Sequence, residues 1–521
     1  MLPYARTVSD PSRLRWSRID LIALVLLMLV AGFLRLSGLS EPRELIFDET
    51  YYARDACWYV EASPDICERA ADAPEVHPPL GKWMIGIGIK LTGFDCPDPA
   101  VCRGSTTSFG WRVIPAIAGV VTVGLLFLLA RRLFRSTLAA TVAGGLLAFD
   151  LLHFVQSRTS MLDIFIPMFG VAGFLFLVMD RDRSLDDPSP RSGWDRPWLL
   201  AAGAAFGAAI ATKWSGGLFL AAGMVLTLAW AWAARRDRSP GQRIRSLLRS
   251  EGPVIAIFLI VVPILLYAFT YVGRVSGSVT GAPWKQGHVV RALWDHHDYM
   301  LDFHRNLASQ HTYQSPGWSW IAIKRPVSYY FCSDSTDPPC PEGEAGDYGE
   351  IFASGNPFVW WTSVLALLYV AYRWIRTRNF RGAEGVILAG FAFTYLPWVT
   401  PMLDRPAIFI FYLLPTVPFM CLAIGYVATT IGTSWEAKSA VALFTIATIG
   451  VFGFYHPLLV GDPIPQKEWD ERIWIFDNCD KPVGGPATST VTETVGGEIT
   501  TRVVETTSDT SGLPPTGWCW I

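Results

Sequence analysis

The chain has 521 residues, 51% of them hydrophobic and only 17% charged, with 22 Trp and a mean hydropathy of +0.31. A soluble chain of this length divides into several domains and carries more charge, whereas here the apolar residues form repeated runs of about twenty, enough to cross a hydrocarbon core of roughly 30 Å. A net charge of −2 with no extended basic patch excludes a nucleic-acid partner.

The apolar runs fall near 19–39, 112–130, 138–153, 163–179, 198–213, 215–233, 253–272, 356–373, 384–401, 407–431 and 437–456. They predict an all-α polytopic membrane protein with about eleven transmembrane helices. The first run exceeds a signal-peptide core and lacks a small-residue cleavage site, so it reads as an uncleaved span. The runs at 138–153 and 198–213 are short, which places their outer ends inside protein and not in lipid. Arginines cluster in alternate connections: Arg13, Arg15 and Arg18; Arg131, Arg132 and Arg135; Arg181, Arg183, Arg191 and Arg196; Arg235 to Arg249; Arg373 to Arg381. The excess of positive charge on the inner side then predicts a cytoplasmic N-terminus (residues 1–18) and a C-terminus outside.

The transmembrane domain covers 19–456, and the outer segments are 40–111, 273–355 and the tail 457–521. Cys57, Cys67, Cys96, Cys102, Cys332, Cys340, Cys479 and Cys519 all fall in these outer segments, as an oxidising exterior predicts. Local pairs (57–67, 96–102, 332–340, 479–519) are the simplest arrangement, although eight cysteines allow many connectivities. Residues 81–89 are apolar but too short to span, and predict an interfacial helix. The middle segment, with His288, His296, His297, His304, His311, Trp284, Trp294, Trp318 and Trp320, fits no standard zinc spacing and reads as an aromatic interface layer. The Thr-rich stretch from Thr488 to Thr510 fits either a β-hairpin or a flexible segment.

Just beyond the first span, Asp48 and Glu49 lie between apolar residues and a Tyr pair. Carboxylates at membrane depth are costly unless they face a cavity or a partner. Taken alone, the pair fits an acidic loop start equally well; the downstream charges decide. Lys82 follows His77-Pro78-Pro79-Leu80-Gly81. Gln156-Ser157-Arg158 and Asp163 join the third and fourth spans, Lys213-Trp214 the fifth and sixth, and Asp404-Arg405 the ninth and tenth. Together they describe an outward-opening polar cavity, with Lys82, Arg158, Lys213 and Arg405 around two carboxylates. Such cations suit a lipid phosphate. A sugar leaving from phosphate needs no general acid, because a neutralised phosphate departs as a stable anion. A general base for the incoming hydroxyl remains necessary, a task worth about 10²–10⁴ in rate.

Phe47-Asp48-Glu49, His77 to Lys82, Gln156-Ser157-Arg158, Thr212-Lys213-Trp214-Ser215-Gly216 and Tyr412-Leu413-Leu414-Pro415 resemble the protein O-mannosyltransferases, multispanning glycosyltransferases of the GT-C fold. The segment His304 to Tyr330, with His311, Ser315, Trp318, Trp320 and Arg325-Pro326, resembles that family's outer segment. The resemblance runs from about Ile19 to His456. It implies a polyprenyl- or dolichyl-phosphate-mannose donor, Ser or Thr acceptors on exported proteins met near the secretion translocon, and inversion at the anomeric carbon on the outer face of the cell membrane. It carries Asp48 over as catalytic base, and Glu49, His77, Arg158 and Asp163 as acceptor- or donor-positioning residues. Charge and position add Lys82, Lys213 and Arg405 as donor-phosphate ligands. A divalent cation is compatible with the acidic residues, but no complete ligand set can be named, so no metal and no further cofactor are assigned.

Two departures stand out. Eukaryotic relatives insert a β-trefoil domain that 273–355 cannot hold, which points to a bacterial enzyme; the Arg- and Ala-rich composition suits an actinobacterial one. Many relatives also carry a His beside the Tyr of the Tyr-Leu-Pro stretch, where this chain has Phe411. Two alternatives compete: a GT-C transferase for another lipid-linked sugar or a lipid acceptor, and a lipid transporter. The second fits poorly, because transporters place polar groups near the midplane in repeated halves.

Overall fold

The computed structural model describes residues 16–507 except 61–66, 68–74, 187–193, 272–288, 307–310, 335, 337–338, 341–342, 401–406, 432–433, 474–485 and 496–497. Every predicted span has its helix. Eight are long and apolar enough to cross a membrane: α1 (Arg18–Leu36), α4 (Ser108–Phe134), α7 (Phe165–Asp186, led in by a 3-10 turn, Leu162–Ile164), α9 (Gly217–Ala233, led in by Trp214–Gly216), α11 (Gly252–Thr270), α13 (Pro357–Thr377), α15 (Val417–Thr430, led in by Ile410–Thr416) and α16 (Trp435–Tyr455). The two runs read as short behave differently. The third span is a bent pair, α5 (Thr137–Ala148) and α6 (Leu151–Arg158), which turn by 58°. The fifth, α8 (Pro197–Thr212), and the ninth, α14 (Ala383–Val399), are short apolar helices. The C-terminal end of α8 is enclosed by protein, with Ala209, Ala211 and Thr212 buried.

Local chemistry sets the ends. Ser17 and Asp20 form a capping box at the start of α1, each side chain accepting from the other's backbone N–H. Gly38, at φ +58°, turns the chain after α1. Large apolar side chains on α1 (Ile19, Ile22, Leu26, Leu29, Phe33) face outward, whereas Leu27 and Ala31 face the core, as a helix bounded by lipid requires. The α5–α6 break falls at Asp150. One of its carboxylate oxygens accepts from His153 N–H (3.0 Å), capping α6, and the other from Trp360 Nε1 (2.8 Å).

The arginine-rich turns gather at one end of the bundle, where Arg131 pairs with Asp20, Arg132 with Asp182, Arg196 with Asp180 and Arg235 with Glu251. The opposite end carries α2 (Glu49–Val60) and α3 (Leu80–Thr92), the latter covering the apolar run too short to span. It also carries a sheet in the segment read from sequence without strands. Antiparallel β1 (Val327–Cys332) and β2 (Asp347–Ala353) are extended by β3 (Ile464–Pro465). A bulge between Ser328 and Tyr330 leaves Tyr329 as the extra residue of β1. A short helix from the tail, Gln466–Ile473, buries Trp469 against Phe331 and Tyr348.

Three of the local disulfides form, Cys57–Cys67, Cys96–Cys102 and Cys332–Cys340, and Cys421 is free and buried. Cys479 and Cys519 lie outside the described residues. The Thr-rich tail takes the hairpin alternative, β4 (Pro486–Val495) against β5 (Glu498–Thr507), with Thr492 opposite Thr501.

Candidate active site

The two adjacent carboxylates have opposite environments. Glu49 opens α2 and is fully buried. Its oxygens accept from Arg112 Nε and Nη2 (both 2.9 Å), Trp111 Nε1 (3.3 Å), Ile46 N–H (3.1 Å) and Ser160 N–H (2.8 Å). A carboxylate offers about four lone-pair sites, so these donors saturate it. Arg112 also donates to the carbonyls of Leu39, Pro42 and Glu44. The Glu49–Arg112 pair therefore ties α2, α4 and the 158–162 turn to the chain that leaves α1.

Asp48, one residue earlier, is half-buried at the start of the same helix, and its carbonyl accepts from Tyr51 and Tyr52. It faces Tyr329, a buried residue on β1. Burial pushes the Tyr329 phenol well above its usual range, and the charges of Asp163 and Asp48 push it further, so this hydroxyl keeps its proton. Gln156 Nε2 donates to Tyr329 Oη at 2.6 Å. Phe47 stacks on the Tyr329 ring.

The remaining predicted residues cluster on either side. Lys213 Nζ contacts both oxygens of Asp163 at 3.0 Å and lies 4.8 Å from the centroid of the Tyr412 ring. Tyr412 and Asp163 both act on Tyr329, so this group adjoins Asp48. Arg158 donates to the carbonyls of Leu34, Arg35, Ser37 and Gly38, closing the C-terminal end of α1. Gly119 lets α4 approach α6 there, since a Cβ at that position would sit 2.5 Å from Ser157 Cβ.

Lys82, only 1% exposed, is engaged by Asp55 (2.7 Å) and Glu75 (3.7 Å). The Tyr59 hydroxyl donates to Glu75. Buried His77 lies between the Tyr52 and His304 rings at 6.0 and 5.3 Å, and the Trp214 ring meets His304 at 5.8 Å. His304 Nε2 donates to the Val76 carbonyl (2.9 Å), and His297 Nε2 bonds Tyr267 Oη (2.7 Å). These histidines belong to an aromatic lining, and among the described residues no group of three or more His, Cys, Asp or Glu side chains could hold a metal ion. Arg405 lies outside the described residues.

Sequence reasoning passed over Arg112, Tyr329 and Tyr412 as site residues. Arg112 did carry a signal, a guanidinium at the very start of an apolar run.

A sequence profile for the family described as dolichyl-phosphate-mannose-protein mannosyltransferase matches residues 25–275, and one for the C-terminal four-membrane-helix region of protein-O-mannosyltransferase matches residues 289–478. The polyprenol-phosphate-mannose–protein mannosyltransferase of Mycolicibacterium smegmatis is 31% identical over 487 residues, covering 86% of this chain and 90% of the relative. That of Mycobacterium tuberculosis is 31% identical over 491 residues, covering 87% and 90%. Among solved structures, a chain of the Saccharomyces cerevisiae protein O-mannosyltransferase Pmt1–Pmt2 complex bound to the sugar donor superposes with a TM-score of 0.68 at 15% identity, covering 89% of this chain and 93% of that one. At that identity the superposition establishes a shared GT-C fold.

Proposed function

Because the chain belongs to the dolichyl-phosphate-mannose–protein mannosyltransferase family, we propose that it transfers mannose from polyprenyl-phosphate-mannose to Ser and Thr hydroxyls of exported proteins, on the outer face of the cell membrane, with inversion. The observation that carries the reading is the contrast between the two carboxylates: Glu49 is sealed around Arg112, whereas Asp48 keeps exposure beside Tyr329 and the Asp163–Lys213 pair.

Asp48 is the general base. It takes the proton from the acceptor hydroxyl as that oxygen attacks C1 of the sugar. The C1–O bond to phosphate breaks, and the electron pair leaves with the polyprenyl phosphate. A single displacement of this kind converts a β-linked donor to an α-linked product. Lys213, partly neutralised by Asp163, and Arg405 take the phosphate. Lys82 is enclosed by Asp55 and Glu75 and is assigned to hold α2 against α3 near His77, on the acceptor side. Glu49 and Arg158 position by fixing the backbone on either side of Asp48. Acceptors reach the site as they emerge from the secretion translocon.

The test is incorporation of mannose from polyprenyl-phosphate-mannose into a Thr-rich peptide by the purified enzyme, with a lipid alcohol offered in parallel. Asp48→Asn is expected to fold normally and to lose about 10²–10⁴ of the rate. Wild-type rates in that variant would remove Asp48 as the base. Preference for the lipid acceptor would move the enzyme to another branch of the fold.

A further inference from the structure

Phe47, the residue before the proposed base, has a left-handed backbone with φ +47°. A bulky aromatic residue rarely adopts that conformation, and it persists only where the surroundings over-determine it. Three rings supply that constraint. Phe47 lies parallel to Tyr329, with centroids 4.3 Å and planes 9° apart, and meets Phe411 edge-on at 5.9 Å. Tyr329 also meets Phe411 edge-on, at 6.1 Å, so the rings close a triangle.

Tyr329 is placed there by the sheet. It is the extra residue of the β1 bulge, a device that re-aims a side chain and recurs beside active sites. Gln156, from α6, then fixes the ring through the 2.6 Å hydrogen bond to its hydroxyl. Gln156 is fully buried, and among the described residues its side chain is hydrogen-bonded through Nε2 alone.

The geometry points to Tyr329 and Gln156 as positioning residues: through the stack on Phe47 they hold the strained backbone that aims Asp48, and so couple the outer sheet to the base. This rests on the reading of Asp48 as the base. The pair acts through Phe47 and not on the reacting atoms. Misplacing a reacting group by about 1 Å can lower a rate on the order of a hundredfold while leaving substrate binding intact.

The experiment measures kcat and KM for polyprenyl-phosphate-mannose and for a Thr-rich peptide. Tyr329→Leu and Phe47→Leu, which break the stack, are expected to lower kcat by about 10- to 100-fold with both KM values within about twofold. Phe47→Tyr, which keeps the stack, is expected to stay near wild type, and Tyr329→Phe, which keeps the ring but loses the hydrogen bond from Gln156, is expected to show the same several-fold fall in kcat as Gln156→Met. The double variant is expected to be no slower than the slower single one, because both changes act through one contact. Gln156→Met removes only the hydrogen bond and covers the case in which a Leu variant fails to fold; a several-fold fall in kcat at constant KM is expected. Wild-type kcat in Tyr329→Leu, or losses that multiply in the double variant, would overturn the proposal. Asp48→Asn keeps the two readings apart. If it is inactive while Tyr329→Leu is normal, only the positioning role falls; if it is active, the base assignment falls first.

Discussion

At the arginine-rich end of the bundle, the side chains of Arg132 and Asp182 are 33% and 13% exposed, and those of Arg183 and Asp195 are 37% and 55% exposed. At the opposite end, the side chains of Arg112 and Glu49 are 1% and 0% exposed, and those of Lys82 and Asp55 are 2% and 9% exposed. The residue types match, yet the pairs do different jobs. Water screens these first two pairs, which contribute little stability, whereas Arg131–Asp20 at the same end is enclosed, its side chains 10% and 0% exposed. The second set lies in protein, where breaking a pair strands a charge. The site is thus built on sealed pairs, and the proposed base is the neighbouring, half-buried carboxylate.

Removing one partner of a sealed pair should have the largest effect on folding. Arg112→Met leaves Glu49 buried without its cation and is expected to cost about 3–5 kcal/mol, read as loss of monodisperse protein after detergent extraction; replacing Glu49 as well should recover part of the loss. Normal recovery of Arg112→Met would show that the pair is not sealed.

An intermediate case is Glu350 on β2, whose carboxyl burial pushes from 4.5 up to about 7, against hydrogen bonds from Ser328 and Trp469. The folded protein holds this proton where the unfolded chain has released it. The stability it confers is therefore full below about 4.5 and is lost as pH rises through about 7. Glu350→Gln should flatten the fall in melting temperature between those values by a few degrees. An unchanged pH profile would mean that Glu350 is hydrated.

The smallest effect belongs to the exposed pair Arg183–Asp195. Arg183→Ala should change stability by less than about 1 kcal/mol by thermal melting. A larger loss would erase the distinction between screened and sealed pairs.

The spans and the first three disulfides were legible because each depends on nearby residues: an apolar run, or a pair of cysteines within ten positions. The different environments of Asp48 and Glu49 were not, because Glu49 receives its donors from Arg112 and Ser160, 63 and 111 residues away. Tyr329 was hidden for the same reason, since Gln156 is 173 residues distant and the bulge has no marker in a single sequence. The sequence marks Lys82 and Lys213 as cations suited to a phosphate, but their carboxylate partners Asp55, Glu75 and Asp163 become visible only once the chain is folded.

The break at Asp150 bears on how the protein is made. Its indole and amide partners, Trp360 and Asn356, lie 210 and 206 residues downstream. A carboxylate therefore enters the bilayer with the third apolar segment long before those donors leave the ribosome. Integration of that segment is expected to finish late: in chains stopped before residue 356, a cysteine introduced near Asp150 should react with a water-soluble thiol reagent, and protection should arrive once residues 356–360 have left the ribosome. Equal protection at both lengths would mean that the turn is completed locally. If the delay holds, the early helices are inserted in provisional order, and the last third of the polypeptide locks them.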